Sequence, residues 1–317
     1  MCSSDLEDAI GDDLLRLLFV ACHPVLPADA RVALTLRLLC GLSTAEIARA
    51  FLLPEPTIAQ RIVRAKRTLA ERGIPFEVPR RRALPQRLRS VLEVVYLVFN
   101  EGYAASHGED WMRPALCEEA LRLGRVLAAL LPASAPVLGL LALMELQASR
   151  MGARTDAQGA AVLLMEQDRS RWDWLQIGRG QALLEKAQAL GGGDDAYVLQ
   201  AAIAACHARA RRADRTDWAG IAQLYARLAR VMPSPVVELN RAVAVARAQG
   251  PQAAWPLLEA LLQDRRLDDY APLQAVRGDL LEHLGRRDEA RSAFERAAEL
   301  SGNARERQAL RARAADL

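Results

Sequence analysis

Between Ser90 and Leu317 the chain is cut into segments by prolines, glycines and short polar runs, at Pro132–Pro136, Gly191–Asp195, Arg211–Thr216, Pro233–Pro235, Gly250–Pro251 and Gly285. Each segment between breaks has the length and apolar periodicity of one or two helices. Alanine and leucine dominate these segments, and both lose little side-chain freedom in a helix. Aromatic residues make up only 5% of the chain, and β-branched residues are sparse, which leaves too little material for a large sheet. The pattern predicts an all-α protein. With 317 residues, 51% of them apolar, there is enough for more than one core, and wholesale disorder is excluded.

Four stretches follow from the breaks. Residues 1–11 are expected to be a non-native or disordered terminus, 12–74 a compact helical unit, 75–89 a linker, and 90–317 a helical extension. The linker carries Pro75, Pro79 and Pro85 together with Arg80-Arg81-Arg82. Met1–Leu6 is what the end of a sequencing-library adapter would encode, so the natural protein is expected to continue upstream of it.

The formal charge of +3 is unevenly placed. Between Glu55 and Leu92, ten cations (61, 64, 66, 67, 72, 80, 81, 82, 87, 89) stand against three acids (55, 71, 77), so the rest of the chain is net acidic. A concentrated basic segment is either an electrostatic footprint for phosphate or a solvated helix face with a soluble linker.

The residues from Leu42 to Arg61 favour the first reading. Ser43 and Glu46 have capping-box spacing, with Leu42 and Ile47 placed as a hydrophobic staple. The helix they start is expected to bury Ile47, Ala48 and Phe51. Pro54 and Pro56 suit the start of a second helix, running from about Glu55 to Glu71, because the first-turn N–H groups are unpaired in any case. On that second helix Ile58, Ile62, Ala65 and Leu69 share a face. Pro56, Gln60, Val63, Arg64 and Arg67 lie opposite, with Arg61 and Lys66 on the flanks. This is the plan of a helix-turn-helix whose second helix enters the major groove. Glutamine pairs with adenine and arginine with guanine, so Gln60 and Arg64 are the base-reading candidates. Thr57, Arg61, Lys66 and Arg67 are the phosphate contacts.

These residues resemble a known family. Leu42-Ser-x-x-Glu-Ile-Ala48, followed by Thr57-Ile-x-x-Arg-x-x-Arg-Ala-x-x-x-Leu69, is similar to region 4 of bacterial sigma factors, the module that reads the −35 promoter element. Phe19-Val-Ala-Cys-His-Pro24 and Ala33-Leu-Thr-Leu-Arg-Leu-Leu39 resemble the extracytoplasmic-function group. Val95-Tyr-Leu-Val-Phe-Asn-Glu-Gly-Tyr103, Glu166-Gln-Asp-Arg-Ser-Arg-Trp172 and Ser234-Pro-Val-Val-Glu-Leu-Asn-Arg-Ala-Val-Ala-Val245 are similar to the subgroup with a tetratricopeptide-like extension. The resemblance implies promoter DNA and the flap of RNA polymerase as partners. It also implies a C-terminal array that acts on the sigma core in cis or on a regulatory protein. Leu52 and Pro56 depart from it, standing where many such sequences have glycine. Region 2, which binds the polymerase clamp, has no counterpart here, so this chain is expected to bind a −35-type site without initiating transcription alone.

The repeat pattern is clearest at 271–304. With Ala271 as the first position of a 34-residue tetratricopeptide unit, Gly278, Leu281, Ala290, Phe294 and Ala297 take the small and bulky positions that let two helices interlock. Ala242, Val245, Gly250, Ala254 and Leu258 repeat the plan upstream, and Tyr225, Leu228 and Pro233 echo it again. Such a solenoid is a binding surface. The rival reading of the whole chain is therefore a repeat scaffold whose helix-turn-helix does not read DNA.

Two polar motifs, Asn100–Tyr103 and Glu166–Asp173, are open to two readings: a ligand pocket or a buried polar network that fixes helix packing. Enzyme signatures are absent. There is no P-loop, Rossmann fingerprint, Gly-x-Ser-x-Gly or His-Glu-x-x-His, and His23, His107, His207 and His283 are scattered. No cofactor or metal is expected. The five cysteines (2, 22, 40, 117, 206) read as reduced thiols of a cytoplasmic protein. Val126–Met144 is the most apolar run, but Pro132 and Pro136 break it into two buried helices rather than a membrane span.

Overall fold

Helix follows helix, and several of the junctions supply a side-chain cap. Asp195, at the end of the Gly191–Asp195 break, accepts hydrogen bonds from the backbone N–H groups of Tyr197 and Val198. Asp217 accepts from Gly220, Ser234 from Val236, and Asn303 from Arg305 and Glu306. Each such cap contributes about 1 kcal/mol by satisfying donors that the first turn leaves orphaned. The computed structural model describes residues 13–51, 53–80, 82–104, 112–156 and 161–317. Among these there are fifteen α-helices, four 3-10 turns and no strand beyond an isolated bridge between Thr155 and Ala161. The all-α expectation holds. The expectations for 1–11, Leu52, Arg81 and His107 lie outside the described residues.

The helices fall into two compact units, divided at Pro132 and Ala133. The first holds α1 (residues 13–21), α2 (Ala28–Leu38), α3 (Thr44–Phe51), α4 (Glu55–Glu71), α5 (Leu84–Tyr103) and α6 (Pro114–Leu130). This differs from the expected division. The linker set at 75–89 is helical from Leu84, and α5 runs through the boundary placed at residue 90. The reason is a set of long-range bonds from helix surfaces to α1 and α2. Arg31, only 8% exposed, donates to the Ser90 hydroxyl at 2.6 Å and to the Glu93 carboxylate at 2.8 Å. Ser90 in turn donates to the Cys22 carbonyl, and Arg87 to the carbonyl of Phe19. A guanidinium taken from water needs such partners, and these come from α5. Arg122 of α6 donates to the Leu39 carbonyl at 2.6 Å.

The Asn100–Tyr103 motif sits at the α5–α6 crossing. Glu101 pairs with Arg113, and the rings of Phe99 and Tyr103 stack with centroids 5.7 Å apart. Gly102 has no alternative at this place: a Cβ there would stand 2.7 Å from the Cys117 amide nitrogen and 2.9 Å from Leu116 Cβ. The described cysteines 22, 40, 117 and 206 are free thiols, and burial pushes Cys22 up to about 11 and Cys40 to about 12, so both stay protonated.

The second unit is organised around α7 (Ala135–Ala148), which is apolar on every side and buried on every side. It packs against α8 (Trp174–Ala189) and α9 (Ala196–Arg209). From there α10 (Trp218–Val231), α11 (Pro235–Gln249), α12 (Pro251–Leu261), α13 (Ala271–His283), α14 (Arg287–Leu300) and α15 (Ala304–Ala315) each pack on the next. No described helix is long and apolar enough to cross a membrane.

The Glu166–Asp173 motif forms a polar network in this unit. Arg169, 5% exposed, donates to the His207 carbonyl at 2.9 Å, to the Ala210 carbonyl and to the Thr216 hydroxyl at 3.3 Å, closing the end of α9. The guanidiniums of Arg169 and Arg150 lie 4.7 and 5.9 Å from the ring centroid of Trp172. His207 packs edge-on to Trp218 at 5.1 Å. Burial, reinforced by the charges of Arg150 and Arg169, lowers its pKa from 6.5 to about 4. The unfolded chain therefore takes up a proton that the folded one refuses. The corresponding stability is complete above pH 6.5 and is lost progressively as pH falls toward 4. His207→Gln is expected to flatten the drop in Tm between pH 7 and pH 5. His23, lowered to about 4 by burial and by Arg87, leaves a residual slope. A slope identical to wild type would show that His207 is not held neutral.

Candidate nucleic-acid interface

The second helix of the helix-turn-helix follows a first one whose start is fixed by its own cap. The Ser43 hydroxyl accepts from the Glu46 amide at 3.1 Å, and the Glu46 carboxylate accepts from the Ser43 amide at 2.7 Å. This is the expected capping box, and it fixes where α3 starts. Ile47 and Ala48 are buried, but Phe51 is only half-buried, because it forms a wall of a groove instead of reaching the core. Pro54 precedes α4 in extended conformation, and Pro56 occupies its first turn.

On α4 the division of faces is sharp. Ile58, Ile62, Ala65 and Leu69 are buried. Thr57, Gln60, Arg64, Lys66 and Arg67 are exposed. Among the described residues, the Gln60, Arg64 and Lys66 side chains have no hydrogen-bond or ion-pair partner, so their donors face only water. Gln60 and Arg64 stand one turn apart along a shallow groove between α4 and the start of α2, near Pro27 and Asp29.

Arg61 and Arg67 differ from these. Arg61 is largely buried, with 25% of its side chain exposed, and pairs with Asp29 of α2 at 3.0 Å. Its charge ties α4 to α2, so it positions α4. Arg67 pairs with Glu71 one turn on, at 3.0 Å, with both groups well exposed. An exposed pair at this spacing is worth about 0.5 kcal/mol, so Glu71 holds Arg67 only weakly. Glu55 in the first turn of α4 is exposed and acidic, which weakens any phosphate site at that helix N-terminus.

Val63 was placed on the outer face by its spacing, and the structure gives it weight. It is a large hydrophobic side chain left 64% exposed, between Gln60 and Arg67. Asp29, Arg31 and Arg87 were not visible as site residues, because their partners lie 32 to 68 residues away. A second groove, apolar and about 240 Å³ in volume, lies among α2, α3, α4 and α5, with Ile47, Phe51, Ile58 and Leu97 in its lining.

Comparison with known proteins agrees with this geometry. Residues 16–69 match sigma-70 region 4, and residues 87–188 match a family of unknown function, DUF6596. An uncharacterized protein of Rhizobium meliloti (strain 1021) is 49% identical over 308 residues, which cover 96% of this chain and 72% of that protein. No solved structure matches the chain. The DUF6596 match straddles the two units: its first part lies on α5 and α6, and its remainder on α7 and α8.

Proposed function

Because the chain belongs to the family of that Rhizobium meliloti protein, with a sigma-70 region 4 ahead of a DUF6596 helical region, we propose that it is a promoter-binding factor of the extracytoplasmic-function sigma type. In this reading α4 enters the major groove of a −35 element. Gln60 and Arg64 hydrogen-bond to base edges, and Val63 lies against thymine methyl groups. Thr57, Lys66 and Arg67 hold phosphates, while Arg61 keeps α4 seated on α2 through Asp29. One observation carries the proposal: Gln60 and Arg64, polar and unpartnered, stand on the face opposite a fully buried stripe.

The apolar groove walled by Phe51 and Leu97 fits an apolar side chain of the polymerase flap. The second unit, with its tetratricopeptide-like succession of helix pairs, is the regulatory and protein-interaction module. It acts on the sigma core or on a regulatory protein, in the cytoplasm and without catalysis of its own. The full chain is expected to select a common motif from a randomised pool of duplexes of about 20 base pairs. It should bind that motif on the order of 10³-fold more tightly than scrambled duplex at physiological salt. Failure to enrich any motif, with the protein folded, would favour a scaffold that does not read DNA.

A further inference from the structure

We propose that the strap between α4 and α5 is a second nucleic-acid site, which grips the phosphodiester backbone of duplex DNA beside the bases that α4 reads; this rests on the reading of α4 as the recognition helix. The strap is Arg72-Gly-Ile-Pro-Phe-Glu-Val-Pro-Arg80, continuing through Arg82 into α5. Arg72, Arg80, Arg82 and, on α5, Arg89 are exposed, and their guanidiniums have no partner among the described residues. Several surface arginines elsewhere are paired with a neighbouring acid, as in Arg212–Asp214, Arg266–Asp264 and Arg286–Glu289, whereas the strap and the start of α5 bring these four unpaired ones within one short stretch of chain. Between Arg72 and Leu92 the only acid is Glu77.

The strap is held at both ends, which lowers the ordering cost of binding. At its start Gly73 takes a positive φ of 58°, and the Ile74 amide donates to the Leu69 carbonyl at 3.0 Å, closing α4 and turning the chain. Pro75 and Pro79 restrict the backbone between. At its end the Arg80 carbonyl accepts from Ala83 and Leu84, and Arg87 and Ser90 anchor α5 to the carbonyls of Phe19 and Cys22. Helix length then sets what the strap faces. The 17 residues of α4 span about 25 Å, while the major groove is about 12 Å wide. A helix that reads bases with Gln60 and Arg64 while crossing the groove leaves it over the backbone before it reaches Arg72. The free cations of the strap begin at that point, so their ligand is phosphate, contacted without regard to sequence.

The test measures affinity of the full chain for its selected duplex across a NaCl series. The Arg80→Ala/Arg82→Ala double variant is compared with wild type, with Arg80→Lys/Arg82→Lys and with Arg64→Ala. Each phosphate contact contributes about 0.9 to the slope of log K against log[salt]. The double alanine variant is expected to reduce the slope by about 1 to 2, to weaken selected and scrambled duplex equally, and to leave the thermal midpoint unchanged. The lysine variant should restore the slope. A wild-type slope in the double alanine variant, as would follow if the strap met protein instead of DNA, overturns the proposal. So does a loss of sequence preference confined to that variant, because it would make the strap a base reader. Failure of the α4 reading looks different: wild type would then not discriminate selected from scrambled duplex, and Arg64→Ala would be silent.

Discussion

Arg64→Ala is expected to weaken binding to the selected duplex by about 1–3 kcal/mol, roughly 5- to 150-fold, and to relax the preference at one base pair. The reason is geometric. Arg64 is exposed on the face opposite Ile62 and Ala65 and is not engaged by any described acid, so its fork is free to take two acceptors on a guanine edge. Gln60→Ala should act one helical turn earlier, relaxing a neighbouring base pair by a similar amount. Lys66→Ala and Arg67→Ala should weaken all duplexes alike and lower the salt slope by about 1 each. Arg61→Ala should behave differently from both groups, because its guanidinium is already paired with Asp29. Its loss loosens α4 on α2, lowering the thermal midpoint more than the salt slope. Measurement by fluorescence anisotropy separates the three classes. If Arg64→Ala retains both affinity and preference, α4 is not the reading helix.

Phe294→Ala should be the most destabilising of these substitutions, at about 3–5 kcal/mol. Phe294 is 0% exposed at the centre of a cluster with Leu281, Ala290, Ala298 and Leu310, and the Arg313 guanidinium lies 4.3 Å from its ring centroid. Its ring fills the space over Gly278 of α13, where a Cβ would meet ring carbons at 2.7 to 2.9 Å. Gly278→Ala should therefore destabilise as well, by about 1–3 kcal/mol through overpacking. The combination is the sharper test. Once the ring is gone, the added methyl occupies part of the cavity. The double variant should then be more stable than the sum of the singles predicts, by about 1 kcal/mol or more in a denaturation cycle. Strict additivity would mean that Gly278 and Phe294 do not form one interlocking contact.

The local features of this site were legible in the residues. Ser43 and Glu46 announce the start of α3, the two prolines the start of α4, and the alternating four- and three-residue spacing of Ile58, Ile62, Ala65 and Leu69 the buried face. All of these depend on neighbours within one or two helical turns, which is why the bounds Glu55–Glu71 were readable in advance. The pairing of Gly278 with Phe294 was expected from a small-and-bulky spacing pattern, and the two residues meet where α13 and α14 pack. Phe51 was misjudged because periodicity gives a residue's direction but not whether a neighbouring element covers it.

What the sequence by itself determined, then, is helical content, the caps, and which face of α4 turns outward, because period and chain breaks are local physics. Only the tertiary structure decided where the first unit ends. Composition placed a break in the proline- and arginine-rich stretch before residue 90, yet Arg31, Arg87, Ser90 and Arg122 bind α5 and α6 to α1, α2 and the residues that follow them. It also decided that Arg61 is a strut and Arg64 a free hand. Both are arginines three residues apart on one helix, and the difference lies in Asp29, 32 residues upstream. Buried and half-buried charges are settled by the partners that folding brings to them, and those partners leave no periodic trace in the chain.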